Sequence, residues 1–430
     1  MKKLFPGGVF SIFFGSFIVQ ECSAQISLGA QLRTRTELRD GQGAPLPEGA
    51  KPAIFTSQRS RLMAGFTSHR IRLGLTVQDV RVWGQDVSTI NRTTTPDNNG
   101  FMLHEAWAEV LLTDTIIKNK SLHLKIGRQE LVYDDSRLLG NLDWLQQGRR
   151  HDAAVLKYKA GSWNLHLGGA FNQNRENASG TVYSAVPAGN YPANTNGGAA
   201  YKALEFLHIN KQLNKSSLSF LLLADQFSKY YTDSLAVKQW EAATHQRFTT
   251  GFHFSFRNAL TAAAYYQAGN NAAGKSVSAA LLSLAYQHRF SGSFAAEAGV
   301  DYTTDDFDPL YGTPHKFWGT MDYFYVASGF GNKGLQDYYL KAKFKKGEKW
   351  MVSADAHQFY SAAMSSKFGT EADLTVTYNL TRMIGFEGGY SHFWNTAWLT
   401  SSAVKNVTNA QSNSNWAYLS INIKPELFSK

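Results

Sequence analysis

A single cysteine, Cys22, stands in 430 residues, and ten prolines interrupt them. One thiol gives neither a disulfide framework nor a thiolate metal site. The scarcity of proline leaves long stretches able to donate every backbone N–H to a ladder. Past the N-terminal leader there is no run of about 18 apolar residues, which excludes a helical membrane span. Mean hydropathy of −0.31 is too polar for a helix bundle in lipid. Catalytic signatures are also missing: there is no Gly-x-Ser-x-Gly elbow, no His-Glu-x-x-His pair and no Walker loop. The histidines at 208, 245, 253, 288 and 357 are scattered singly, so neither a metal site nor a cofactor is expected.

What is present starts with a leader. Lys2 and Lys3 precede a largely apolar stretch from Leu4 to Val19, and Cys22-Ser23-Ala24 reads as a small-residue cleavage site. Residues 1–24 are therefore expected to be an export signal and residues 25–430 the exported protein. Val19-Gln20-Glu21 lacks the small and aliphatic residues of a lipid-attachment site, which disfavours a lipoprotein. Twenty tyrosines, 28 phenylalanines and ten tryptophans suit strands in a membrane. The formal charge of +10 points to nucleic acid, an anionic membrane surface or an anionic solute. Export removes nucleic acid from that set.

Period-two alternation recurs along the chain. Ile26, Leu28, Ala30 and Leu32 share one face, opposite Gln31, Arg33, Arg35 and Glu37. Leu122, Leu124 and Ile126 oppose His123 and Lys125, and Leu419, Ile421 and Ile423 alternate with Ser420, Asn422 and Lys424. Such segments predict about 18 strands, an even number as in single-chain bacterial barrels. Tight connections, such as Ala160-Gly161, Ser291-Gly292 and Lys346-Gly347-Glu348, alternate with long ones at 40–57, 84–100, 134–149, 173–199, 227–245, 305–335 and 395–414. A membrane barrel explains that alternation, because short turns face the periplasm and long loops face outward. The expected fold is all-β: a closed antiparallel transmembrane barrel in the bacterial outer membrane, contacting its lipid. No plug domain precedes the first strand, and nothing identifies a periplasmic partner.

With apolar faces toward lipid, the opposite faces line the lumen. There the early strands collect Arg33, Arg35, Arg39, Arg59, Arg61 and Arg72, and a distant strand adds Lys341, Lys343 and Lys345. Confined cations lower the energy of an entering anion. Acids such as Glu37, Glu105, Glu109, Asp301 and Asp355 share the lumen, so a self-paired charge ladder is the competing reading. Trp163, Phe393, Trp394, Trp398 and Trp416 lie near strand ends and read as interface girdles.

The segment from Ile126 to Asp152 is the most distinctive. It runs from a strand end into an outward loop, yet carries Leu138, Leu139, Leu142, Trp144 and Leu145, which a solvated loop would not. It is expected to fold inward, narrow the pore and present Arg137, Arg149 and Arg150.

Gly127-Arg128-Gln129-Glu130-Leu131, Arg137-Leu138-Leu139-Gly140 and Leu142 through Arg150, closing with Asp152, resemble the signature of the alginate export family of outer-membrane porins. A second block, Gly312-Thr313-Pro314-His315-Lys316-Phe317 with Met321-Asp322-Tyr323-Phe324, is similar to that family's long late loop. The resemblance implies an 18-stranded passive channel with an electropositive constriction conducting a linear polyuronate. It also places Arg128, Asp143, Arg149, Arg150, Asp152, His315 and Asp322 near the pore. Asp134 stands where the family usually has glycine, and His151 where it usually has an aromatic. The function expected is a passive porin for anionic solutes, including uronate-containing polysaccharide such as alginate. The alternatives are a general diffusion or structural barrel, and a barrel enzyme with an unrecognised site.

Overall fold

The computed structural model describes residues 24–84, 102–114, 119–172, 179–183, 200–257, 259–324, 333–363 and 365–429. The expected leader lies outside these, apart from Ala24. Period-two sequence becomes strand in β1 (Gln25–Asp40), β2 (Ala53–Thr67), β3 (Ile71–Val82), β4 (Met102–Leu111), β5 (Lys120–Gln129) and β6 (His151–Ala160). It continues through β7 (Trp163–Phe171), β8 (Ala203–Leu213), β9 (Ser216–Thr232), β10 (Lys238–Phe256), β11 (Leu260–Asn270) and β12 (Ser276–Arg289). The last third supplies β13 (Phe294–Thr303), β14 (Leu335–Lys346), β15 (Trp350–Tyr360), β16 (Lys367–Asn379), β17 (Ile384–Asn395) and β18 (Asn413–Ile423). Past Pro425, which has no N–H to give the ladder, the last strand resumes as a short β19 (Glu426–Ser429).

From β1 to β18 each strand pairs antiparallel with its sequence neighbours, and β19 pairs with β1. The ring closes where β1 pairs with β18, from Leu32↔Ile423 to Asp40↔Asn415, while its other edge pairs with β2. Closure joins the first strand to the last, so each of β1 to β18 has a partner on both sides, as backbone in hydrocarbon requires. The outer surface is apolar: Leu62, Leu75, Leu222, Phe252, Leu282, Leu340 and Leu374 are all exposed. Their strand neighbours point into the lumen.

Two sequence expectations change. The connection placed at 227–245 is a continuing hairpin, since β9 and β10 run past the neighbouring strands to a tight turn. Tyr230 packs on Trp240 across the pair, and the Asp233 carboxylate accepts from Leu235 and Val237 N–H at the tip. Phe393 and Trp416 are not girdle residues. They are 0% and 1% exposed and face inward, Phe393 stacked on Tyr323 and Trp416 donating Nε1–H to Glu37 at 3.1 Å.

Two loops enter the interior. Residues 130–150 and 305–324 fold into the barrel and zip together: Tyr311 N–H donates to Leu138 O, Gly140 N–H to Tyr311 O and Thr313 N–H to Ser136 O. Leu131, Leu138 and Leu139 share a buried cluster with Phe307, Leu310, Tyr311 and Trp318. Burying these apolar groups supplies the free energy that holds the loops in place of water. Gly312 marks the closest approach, because a Cβ there would lie 1.9 Å from Arg137 O.

Candidate functional site

The lumen-facing register of β1 and β2 puts Arg33 opposite Arg59 and Gln31 opposite Arg61. Like charges set side by side need an anion between them. Asp143, carried on the inward loop, supplies it: its carboxylate lies 2.8 Å from Arg59, 3.3 Å from Arg33 and 3.5 Å from Arg61. Burial raises the Asp143 pKa, but the three guanidiniums outweigh it and hold the carboxyl below its usual range. Arg35 and Arg39 flank Glu37 at 2.9 Å each. Five guanidiniums thus surround two carboxylates. The Asp143 side chain is still 48% exposed, so this cationic patch has an opening.

The arginines also grip the loop backbone. Arg35 donates to Trp144 O at 2.8 Å, Arg33 to Leu145 O at 3.2 Å, and Arg59 to Gln146 O at 3.4 Å. Gln31, Gln78 and Gln146 complete the donor and acceptor set, bonding Arg59, Arg61 and Arg33 respectively. These glutamines gave no sequence signal beyond lying near the arginines.

Trp144 joins the two loops. Arg35 sits 4.0 Å over its ring, His315 stacks on it at 4.3 Å and 10°, and Trp416 and Tyr418 meet it edge-on. His315 is oriented by Asp322 at 2.8 Å, so the second sequence block meets the first through His315. Sequence reasoning left Trp416 on the wrong face. Extending the alternation back from Ser420 through Tyr418 would have turned it inward.

Other expected pore residues lie elsewhere. Arg137 is 4% exposed, donates to Asp301 at 2.5 Å and stacks on Phe317 at 3.9 Å. Arg149, 1% exposed, donates to the carbonyls of Gly140 and Gly312. The loop therefore does not present these two to the channel; they fasten it to the second loop and the wall. Arg128 and Asp152 form a bidentate pair, 2.8 and 2.7 Å, on the outer face at the end of β5 and β6. Arg128 continues the lipid-side series of Leu124 and Ile126, a signal already in the alternation, and the long loop that follows β5 puts the pair at the rim. That corrects their expected place beside the pore.

Arg150 lies beside that pair. Burial, then Arg128, lowers its pKa to about 10, with Asp152 opposing, and its Nε and Nη1 lack partners among the described residues. Arg72 is exposed near a short turn, 3.7 Å from Glu109. Lys341 lies 3.7 Å from Asp355, and Lys343 is exposed two residues nearer the short turn after β14. None of these three joins the arginine patch. Asp134 takes φ +52°, and its carboxylate meets His208 at 3.1 Å. His151 is buried and bonds the Tyr201 hydroxyl at 2.8 Å.

Residues 24–170 match the family described as alginate export. No curated protein matches the chain. Among solved structures, Pseudomonas aeruginosa OccK3 (OpdO) is 12% identical with TM-score 0.60, covering 94% of this chain and 96% of that chain. Acinetobacter baumannii OccAB2 is 13% identical with TM-score 0.59, covering 94% and 98%. The P. aeruginosa outer membrane protein OpdK is 10% identical with TM-score 0.58, again covering 94% and 98%. Likeness at these identities establishes the fold: a closed antiparallel β-barrel.

Proposed function

We propose that this outer-membrane channel, whose residues 24–170 match the alginate export family, conducts anionic solutes passively and takes uronate-containing polysaccharide, such as alginate, as its substrate class. The observation that carries this reading is the half-exposed Asp143 carboxylate inside the Arg33–Arg59–Arg61 triangle. It occupies the place a solute carboxylate would take, and the surplus of guanidinium charge over carboxylate persists with it bound. Guanidiniums match carboxylates in fork geometry, and in a confined lumen they replace part of an anion's lost hydration. Lumen cations spread along the wall suit a linear polyanion handed from one to the next. The chemistry asked of these side chains is binding and release; no step needs a nucleophile.

One observation favours a second reading, a general pore: loop carbonyls already occupy several guanidinium N–H groups. Reversal potentials in a planar bilayer under a salt gradient separate the two. Anion preference is expected, and combined Arg33→Ala and Arg61→Ala should reduce the permeability ratio several-fold, on the order of threefold or more. Oligouronate added to one chamber should interrupt the current of the parent channel more than that of the double variant. Equal permeability for cations and anions in the parent would leave the general pore.

A further inference from the structure

Across the ring from the arginine patch, beneath the base of the inward loop, is a cavity of about 580 Å³ lined by His166 of β7, His208 of β8 and His253 of β10. The loop roofs it with Tyr133, Asp134 and Asp135. Amides of Asn164, Asn210 and Gln212 line it on the side of the short turns, where it faces the periplasmic half of the lumen.

Most of its polar groups already have one partner. Tyr133 Oη meets His166 Nδ1 at 3.1 Å, and His208 Nε2 meets Asp134 at 3.1 Å. Arg137 engages Asp135 through Nε and its backbone N–H. His253 is 7% exposed, and its Nε2 has no hydrogen-bond partner among the described residues, the Asp135 carboxylate being 3.9 Å away. A buried imidazole nitrogen without a partner is costly, and a group able to donate to it or accept from it would lower that cost.

The lining restricts what that group is. No lysine or arginine lines the cavity, and two carboxylates do, which disfavours an anion. Both carboxylates already have imidazole or guanidinium partners, and among the described residues no cluster of three or more ligating side chains suits a metal ion. Imidazoles, amides and carboxylates together accept and donate in the mixed manner that vicinal hydroxyls require. Tyr133, packed edge-on against His166 and Phe206, adds an apolar ring surface. A pocket of this volume holds a small ring compound.

The geometry points to a second solute site on this wall, specific for an uncharged polyhydroxylated ring such as a neutral sugar unit. It needs the channel but not anion selectivity, so it stands or falls separately from the arginine patch. The test uses the full-length refolded barrel in planar bilayers with maltotriose as probe. Maltotriose should interrupt the current, more strongly from the periplasmic side. His253→Leu with Asn210→Leu should weaken the block about tenfold, as expected for lost buried hydrogen bonds, with open-channel conductance and ion selectivity unchanged. Ser255→Trp, which fills the cavity from the same strand as His253 without removing a polar lining group other than its own hydroxyl, should do the same. Arg61→Ala should leave the sugar block intact while altering selectivity. Each variant's folded state is read from its heat-modifiable gel mobility. No block of the parent channel, equal block of parent and cavity variants, or a block by zinc ion that maltotriose does not share would overturn the proposal.

Discussion

Asp143 illustrates how one side chain couples loop to wall. Its carboxyl is held below the usual range because Arg59, Arg33 and Arg61 outweigh the opposing effect of burial. The contribution of such a group is full above the unfolded carboxylate value of about 4 and is lost as pH falls through the lower folded value. The Asp143 latch should therefore hold from neutrality to about pH 5 and give way, with a step in conductance, only in the strongly acidic range. Asp143→Asn should abolish that acid step and raise anion preference at neutral pH, both read from single-channel currents. A step near pH 6 in the parent channel would point to an imidazole in place of this latch. Asp134 shows a different compromise at the same scale. Its positive φ suits glycine, yet aspartate tolerates that region, and its carboxylate gains His208.

At the scale of elements, the two interior loops behave as one unit. Arg137 and Asp301 are 4% and 1% exposed, and the pair ties the first loop to β13. Removing one partner of a buried pair leaves an unpaired charge, costing about 3–5 kcal/mol. Asp301→Asn should accordingly speed hydrogen exchange at Leu138, Leu139 and Gly140 and make channel currents noisier, while barrel amides stay protected. Gly312→Ala should loosen the same contact by a different route, since its Cβ would press on Arg137 O. Unchanged protection in Asp301→Asn would show that the apolar cluster alone seats the loops.

For the whole molecule, the governing division is between the two faces of each strand. Leu374 is exposed on the outer surface, and Thr375 beside it points inward. Leu374→Arg should cost up to about 2–4 kcal/mol if it lies near the bilayer midplane. Thr375→Arg should cost much less. Urea titration of refolding into lipid vesicles measures both. Similar losses for the two variants would contradict the assignment of inner and outer faces.

The strands, their number and the alternation of short and long connections were legible in the sequence because side-chain alternation is a local, period-two property. The same rule carried Arg33, Arg35, Arg59 and Arg61 to the lumen, and, followed one step further, turns Arg128 outward and Trp416 inward. Tertiary structure alone decided what the loops do. Burial of Arg137 and Arg149, the stacking of Trp144 on His315, and the joining of the two motif blocks depend on segments about 170 residues apart meeting inside the closed ring, as in the Leu142–Thr313 contact. No local periodicity encodes such a meeting. It follows from closure, which confines both loops to one small interior where their leucines and aromatics have only each other to pack against.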